Sequence, residues 1–495
     1  MKIPAFRLGE RTENHQWPSH ASRVMPLRDD RSVRFNRLIV LGFVLLWIGF
    51  LSQSLSAHAA EGRFLYIESN HVDEGQNSIV AYSRHADGKL TPLPEGPFLT
   101  GGTGINNDTH GKLGPDDNDT PLALSEDGKY LFAVNTHSNT IAVFKVLENG
   151  SLRHVKGSPF PSRGIGPNSL SVSGNILLVS NRNGDYHQLE QLRGAAKANY
   201  VSFRVNDDGT LTFLSSIDVE GAHKPTQVLF STLHNRIAFG NDFQVDADFD
   251  GDGARSWLAG REQKVQGQLH AFTLDASGHL IETDRVTLPE TDPGHLYEGA
   301  PGVPSLPLGL WDHPTKNLLY VGFVTRNELG VFRYSREGKL TFVTSVPNGG
   351  QDICWLLTNR AGTRLYAVNN LNRQETKDKS GSISIYDISG EKAERPVEIG
   401  RVQTPLPGES FINNRMFLQP GSTPFQMALD PTEKFFYVIN QRINQTPENK
   451  SSEGNFLHMF KVEESGLLTL VDSRDLRKDG LPSHSRPQGI VILDR

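Results

Sequence analysis

The chain has 495 residues, of which 37% are hydrophobic and 21% charged, with 47 glycines and 28 prolines. This composition is typical of a globular, turn-rich protein and excludes a disordered or fibrous one. The formal net charge is −6, and residues 1–60 hold eight Lys or Arg against four Asp or Glu, so the remainder is acidic and nucleic acid is not expected as a partner. The single cysteine, Cys354, excludes an internal disulfide framework.

The first 60 residues have the pattern of a targeting segment. Basic residues end at Arg37, and residues 38–51 follow without a charge. This run is short for a membrane span, and Ala57-His58-Ala59 fits a small-residue cleavage site, so we expect a signal peptide and a periplasmic or secreted protein. The alternative is an uncleaved anchor in which residues 38–57 sit in the membrane and the basic flank stays cytoplasmic. In both cases the globular domain is expected at residues 61–495.

From residue 61 onward, one unit recurs seven times. Each unit has a hairpin turn in which a small or acidic residue precedes glycine. These turns are Asp87-Gly88, Asn149-Gly150, Asp208-Gly209, Ser277-Gly278, Glu337-Gly338, Ser389-Gly390 and Ser465-Gly466. An apolar or alternating run before each turn, such as TIAVFKV from Thr140, predicts a hairpin strand. A second apolar run, such as LYAVN from Leu365, and a third, usually after a proline, such as PFQMALD from Pro424, complete the unit.

Seven units of four strands, without helical periodicity after the N-terminal segment, predict an all-β fold, a seven-bladed β-propeller of four-stranded blades. The first unit begins at its second strand, so we expect Gln488 to Asp494 to supply the missing inner strand and close the ring. The connections between second and third strands and between blades then share one face, here called the long-loop face. Long loops on one face of a repeat fold typically mark the binding face, and neutral drift in surface loops is the alternative.

The repeat resembles the seven-bladed propeller lactonases, which include 6-phosphogluconolactonase and the fungal carboxymuconate-lactonizing enzyme. The resemblance rests on apolar-Tyr-Val-x-Asn, Asp-Gly-x-Leu-Thr, Gly-x-x-Pro and Ser-x-Asp-Gly-Lys-x-Leu, with clear copies at residues 125–152 and 221–242. It covers residues 63–495 and implies hydrolysis of a small lactone, of carbohydrate type or a related cyclic ester, with no required cofactor. The expected export argues against 6-phosphogluconolactone itself, which belongs to cytoplasmic metabolism. A non-catalytic propeller that binds a ligand or a protein at the cell envelope is the alternative.

The resemblance places one catalytic residue directly. His223, just before the inner strand that follows the third hairpin, occupies the position of a proposed catalytic histidine of the family. The family's Gly-Pro-Arg-His run and its Asn-Glu pair correspond here to Pro307-Leu308-Gly309 and Gly322-Phe323, so the family's Arg and Glu are missing from those positions. Lactone hydrolysis needs a base for water and a donor or cation for the developing oxyanion, so the absence of this Arg and Glu argues against inherited activity.

Other residues of the long-loop face have suitable chemistry. Arg182, Asp185 and His187 lie in one loop and are candidate catalytic residues, with an ordinary polar surface loop as the alternative. Five second strands end in asparagine, which can orient a polar ligand or simply serve the turn. These residues are Asn135, Asn181, Asn241, Asn369 and Asn440.

An aspartate-rich stretch on the same face is a candidate calcium site. Its alternating carboxylates resemble the first half of a calcium-binding loop, whose oxygen ligands occupy positions one, three and five. They are Asp246, Asp248, Asp250 and Asp252. The twelfth position is Trp257 instead of a bidentate Glu, although Glu262 follows in the same loop. A solvated acidic loop is the alternative.

Overall fold

The computed structural model describes residues 62–104, 120–182, 198–220, 223–244, 267–288, 305–324, 326–370, 381–412, 418–419, 421–442 and 453–495. Only the backbone is described for residues 223, 243–244, 411–412 and 418–419. The predicted signal or anchor segment, residues 1–60, lies outside these ranges. Within them, no helix is long and apolar enough to cross a membrane.

Antiparallel sheets built from consecutive strands form the blades. The first four blades contain β1 (Arg63–Glu68), β2 (Ser78–Arg84), β3 (Leu90–Pro92) and β4 (Phe98–Leu99); β5 (Leu122–Leu124), β6 (Tyr130–Asn135), β7 (Thr140–Val146), β8 (Leu152–His154) and β9 (Phe160–Pro161); β10 (Pro167–Ser173), β11 (Ile176–Asn181), β12 (Ala198–Val205) and β13 (Leu211–Val219); and β14 (His223–Phe230), β15 (Ile237–Gln244), β16 (Gln268–Leu274) and β17 (Leu280–Thr287).

The remaining blades follow the same order. They contain β18 (Pro307–Asp312), β19 (Leu318–Phe323), β20 (Glu328–Tyr334) and β21 (Leu340–Pro347); β22 (Ile353–Thr358), β23 (Arg364–Asn369), β24 (Ser382–Asp387) and β25 (Val397–Gln403); and β28 (Ser422–Leu429), β29 (Phe435–Arg442), β30 (Phe456–Val462) and β31 (Leu468–Asp475). A small hairpin of β26 (Phe411–Ile412) and β27 (Leu418–Gln419) precedes the last of these blades. Short 3-10 helices occupy Gly390–Ala393 and Leu476–Asp479.

The first blade is completed by the C-terminal strand, β32 (Ile490–Asp494). It pairs antiparallel with β1 in a register that joins Arg63 to Asp494 and Ile67 to Ile490. The inner strands β5, β10, β14, β18, β22, β28 and β32 contact one another in that order, and β32 contacts β5. The predicted seven-bladed propeller and its closing strand are therefore confirmed. The strand begins at Ile490, two residues later than predicted, because Gly489 has φ +87°, outside the strand region.

The second strand of each blade explains the repeated apolar-Tyr motif. It lies between neighbouring blades, so both of its faces are buried, as they are along all of Tyr130–Asn135. A tyrosine in this strand donates its hydroxyl hydrogen to a backbone carbonyl of the next blade. The pairs are Tyr66 to Gly150 (2.9 Å), Tyr130 to Asp207 (2.6 Å), Tyr320 to Ala393 (2.9 Å), Tyr366 to Gly466 (3.0 Å) and Tyr437 to Gly88 (2.6 Å). In these five blades the second strand thus carries one polar group that links its blade to the next, whereas β11 and β15 contain no tyrosine.

The two faces of the propeller differ in their connections. On the short-turn face, six of the predicted glycine turns have φ between +80° and +90° at the glycine, a conformation that favours this residue. The seventh, at Ser389-Gly390, continues into a 3-10 helix instead. Long connections start and end at the opposite face, where 16 residues separate the end of β11 from the start of β12 and 23 separate the end of β15 from the start of β16. These strand ends agree with the predicted difference between the faces.

Candidate functional site

The five asparagines predicted to end second strands are fully buried. Three of them do end β6, β11 and β23, but β15 and β29 continue past Asn241 and Asn440 because these residues still pair with the neighbouring strands. Their amides bond within the fold: Asn135 Oδ1 accepts from Asn77 Nδ2 (3.0 Å), Asn369 Oδ1 accepts from Asn348 Nδ2 (2.7 Å), and Asn181, Asn241 and Asn440 donate to Asn199 Oδ1 (2.9 Å), Leu308 O (2.7 Å) and Pro405 O (2.8 Å). Gly102 and Gly164 pack so closely that a Cβ there would lie 2.5 Å from the amides of Asn135 and Asn181. The asparagines therefore hold neighbouring strands and connections of the fold together, and ligand binding by them stays a prediction.

Two of the predicted catalytic residues lie on adjacent blades. Arg182 follows β11, and its backbone N–H donates to Gly166 O at 3.0 Å while its side chain is buried. The backbone of His223 begins β14, where it pairs with Gln244. Strands β11 and β14 contact each other. The structure thus brings the chain at Arg182 and at His223 to neighbouring positions of one face.

The other predicted site residues fall in loops that the structure does not describe. Asp185 and His187 lie between residues 183 and 197, and Asp246, Asp248, Asp250 and Asp252 lie between residues 245 and 266. Within the described ranges, no group of three His, Cys, Asp or Glu residues is placed to hold a metal ion. Both sets therefore stay predictions.

Buried cations are concentrated at the long-loop face, and sequence analysis identified only one of them. Arg182, Lys224, Arg442 and Arg486 are each at most 5% exposed. They stand at the end of β11, the start of β14, the end of β29 and just before β32. Burial lowers the pKa of Arg442 to about 10, which still leaves the guanidinium charged at neutral pH. Buried cations at a binding face attract the anionic groups of a ligand.

Two of the three missed cations had a signal in the sequence. Lys224-Pro225 and Arg486-Pro487 both place a cation directly before a proline, within or just before an inner strand. Because inner strands begin at the long-loop face, a cation in this position is brought to the mouth of the ring in each case. The repeat therefore predicts this placement once the strand order is known.

A buried ion pair joins the connection after β19 to the first residue of β20, close in sequence to the positions where the family's Glu is missing. Arg326 Nη2 lies 3.1 Å from Glu328 Oε2, and both side chains are at most 3% exposed. Arg326 Nη1 also donates to Ser305 Oγ at 3.1 Å, and Ser345 Oγ donates to Glu328 Oε2 at 2.9 Å. An Arg and a Glu are thus present in this blade, but they neutralise each other and link three chain segments.

A second charged network is buried in the fourth blade. His270 Nε2 lies 2.5 Å from Asp242 Oδ2, and His270 Nδ1 lies 2.7 Å from Glu282 Oε1. Tyr200 of the preceding blade donates to Asp242 Oδ1 at 2.8 Å. Burial lowers the pKa of His270, but the two carboxylates outweigh it and raise the pKa to about 9. The network therefore holds a charged imidazole between two anions and joins three strands of one blade to its neighbour.

Two histidines and an aspartate converge on the long-loop face of the first blade. Asp73 lies between β1 and β2, and its carboxylate oxygens are 3.0 and 3.1 Å from Nδ1 of His484, which lies between β31 and β32. His71 is buried and accepts a hydrogen bond at Nδ1 from the backbone N–H of Asp73 at 3.0 Å. Its ring centroid is 6.1 Å from that of His484. Sequence analysis missed this cluster, since its members are far apart in the chain.

The described geometry defines a class of protein. This class is the closed seven-bladed propeller. Here the long loops, the buried cations and the histidine cluster all occupy one face. The family model described as "Lactonase, 7-bladed beta-propeller" matches residues 109–193 of the chain. The predicted resemblance to the seven-bladed propeller lactonases is confirmed.

Solved structures share the fold at low sequence identity. A proposed 6-phosphogluconolactonase from Bacteroides fragilis is 15% identical, with a TM-score of 0.55 and coverage of 88% of this chain and 98% of that one. Another from Bacteroides uniformis is also 15% identical, with a TM-score of 0.56 and coverage of 87% and 99%. A hypothetical selenium-binding protein from Sulfolobus tokodaii is 12% identical, with a TM-score of 0.54 and coverage of 87% and 93%. No curated protein matches this chain in sequence. Since these structures differ in described function, the likeness establishes the fold alone.

Proposed function

We propose that this protein hydrolyses a small lactone, of carbohydrate type or a related cyclic ester, at its long-loop face. The observation that carries the proposal is the set of four buried cations at that face, in a chain that resembles propeller lactonases. Arg182 and Lys224 lie on adjacent blades, so two of these charges belong to neighbouring parts of the mouth.

The cations match the charge that the reaction develops. Attack of water on the lactone carbonyl carbon forms a C–O bond and an oxyanion, and collapse of this intermediate breaks the ring C–O bond to give a hydroxy acid. Preorganised cations in a poorly solvated site stabilise such an oxyanion more than water does. The product is itself an anion at neutral pH, so the same charges hold both species. This supply of positive charge substitutes for the Arg that the family pattern places at Pro307-Leu308-Gly309.

We further propose that the lactone is met outside the cytoplasm. The proposal is supported by the apolar segment at residues 38–51 and the small-residue site after it. A periplasmic or secreted enzyme would act on an unphosphorylated lactone. If the segment is not cleaved, residues 38–57 anchor the domain and leave its substrate class unchanged.

A lactone panel tests the proposal. Full-length protein is mixed with glucono-δ-lactone, γ-butyrolactone and related esters, and acid release is followed against a protein-free blank. We expect hydrolysis above the blank, and replacing Arg182 by Gln should lower kcat by roughly 10²- to 10³-fold, the usual effect of losing one oxyanion donor. Arg182→Lys keeps the charge and should lose less. The matched control is Arg333→Gln, because Arg333 is 53% exposed and pairs with Glu394 away from the long-loop face.

The panel also separates hydrolysis from the rival function. If no lactone is hydrolysed but a lactone or its hydroxy acid raises the melting temperature, the face binds ligands without catalysis. If the protein neither hydrolyses nor binds any member of the panel, the proposed function is wrong.

A further inference from the structure

We propose that His484 is the proton-transfer residue of the hydrolysis and that Asp73 positions it. This inference rests on the proposed function and deepens it by assigning the base. It comes from the contact of the two side chains on the long-loop face, where the Asp73 carboxylate lies 3.0 Å from Nδ1 of His484.

The hydrogen bond determines which ring nitrogen can accept a proton. A carboxylate only accepts hydrogen bonds, so the proton between the two groups is on Nδ1 of His484. The lone pair of the neutral ring is therefore on Nε2, and Nε2 makes no hydrogen bond to a described residue. The side chain of His484 is 20% exposed, so it is held by the protein and still reachable by water and substrate. A histidine oriented through one nitrogen and open at the other is the arrangement that general base catalysis needs.

Surrounding contacts hold the pair in place. His71 accepts from the backbone N–H of Asp73 and is hydrogen-bonded to the backbone of Ser483, so it joins the two loops that carry the pair. Burial lowers the pKa of His71, which favours the neutral form of the ring beside His484. His484 itself has φ +66°, a conformation that few side chains adopt readily. The fold thus maintains an unfavourable backbone geometry at the residue that presents the open nitrogen.

His484 can both take and return the proton that the hydrolysis transfers. Nε2 of His484 takes a proton from the attacking water as its oxygen bonds to the carbonyl carbon. The resulting imidazolium returns that proton to the ring oxygen as the C–O bond breaks, and the neutral ring is regenerated. Arg486, a buried cation, follows two residues later. The Asp73 carboxylate, in contact with Nδ1, stabilises the imidazolium.

Substitutions of His484 test the assignment in the full-length protein, with the most rapidly hydrolysed lactone of the panel. His484→Asn removes the base, and Asn tolerates the left-handed conformation, so the melting temperature should change little. We expect kcat to fall by roughly 10²- to 10⁴-fold with little change in KM. Exogenous imidazole should restore part of the turnover of His484→Gly, and should not accelerate the wild type. Asp73→Asn should also lower kcat, because its amide can hold the wrong tautomer, while Asp73→Glu should retain more activity.

The short-turn face offers a matched control. His279 Nδ1 lies 2.8 Å from Asp275 Oδ2 in an exposed turn, so it forms a similar His–Asp pair outside the long-loop face. His279→Asn should leave kcat unchanged. His223→Asn tests the alternative that the base is His223, the position implied by the family resemblance.

The outcomes separate the two proposals. If the wild type hydrolyses a lactone and His484→Asn keeps its kcat, the inference is wrong and the proposed function stands; a large loss in His223→Asn alone would then assign the base to His223. A loss in His484→Asn that imidazole cannot repair in His484→Gly, together with a lowered melting temperature, would mean a structural role and would also overturn the inference. If the wild type hydrolyses nothing, both proposals fail.

Discussion

Removal of the closing strand should abolish the fold, because β32 is the inner strand of the first blade. The perturbation is a deletion of residues 489–495, which leaves Arg486 in place. It breaks a ladder of five residue pairs with β1 and removes the contacts of β32 with the inner strands β28 and β5. The sheet edge of β1 and two blade interfaces would then be open to solvent.

The expected loss can be worked out from the buried groups. Ile490 and Leu493 are at most 8% exposed, and burying each such side chain contributes about 1.5–3 kcal/mol. Each lost ladder hydrogen bond adds about 1 kcal/mol. The total approaches the net stability of about 5–15 kcal/mol of a typical domain, so little folded protein should remain.

Soluble yield and urea denaturation measure the effect. A graded variant, Leu493→Ala, should stay folded but lose about 2–5 kcal/mol, since Leu493 packs in the apolar cluster between the first two blades. Val471→Ala is the control, because Val471 is 49% exposed on an outer strand and should change the free energy of unfolding by less than about 0.5 kcal/mol. Soluble, cooperatively unfolding protein after the deletion would refute the assignment of β32 as a structural closure.

Two further predictions concern charge. His270 has its folded pKa raised to about 9 by Asp242 and Glu282, so its contribution is fully present below the unfolded value of about 6.5 and is lost as pH rises through 9. Between pH 6.5 and 9, the free energy of unfolding measured by urea denaturation should fall by on the order of 3 kcal/mol in the wild type and should not do so in His270→Gln. An equal fall in both proteins would contradict the stabilising role of the network. Calcium should raise the melting temperature if the aspartate-rich loop binds it, and Asp248→Asn with Asp250→Asn should remove the increment. If calcium up to millimolar concentration does not change the melting temperature of the wild type, the loop is a solvated acidic loop without a calcium site.

The fold was predictable from the sequence because its signals are local and repeat. Turns such as Asp208-Gly209 and strands such as Tyr130–Asn135 occur in every blade with small variations, so one unclear copy, Ser389-Gly390, did not obscure the period. The closing strand could be predicted because only the first unit lacked an inner strand. Repetition thus determined both strand order and ring closure.

The candidate site was only partly predictable, because its contacts depend on closure of the ring. Asp73 and His484 are 411 positions apart and meet only when β32 joins β1. Arg182 was identified from its loop, but its burial follows from the packing of blades and has no local signal. A single sequence can therefore show which residues belong to the long-loop face, and cannot show which of them touch.

The most direct test of lactone hydrolysis at the long-loop face is one comparison of initial rates. Acid release from the best lactone is measured for the full-length wild type, for Arg182→Gln and His484→Asn on the long-loop face, and for Arg333→Gln and His279→Asn as controls. The account predicts hydrolysis by the wild type and both controls, and a loss of at least roughly 10²-fold in both long-loop variants at an unchanged melting temperature. Absence of hydrolysis, or equal rates in all five proteins, would contradict it.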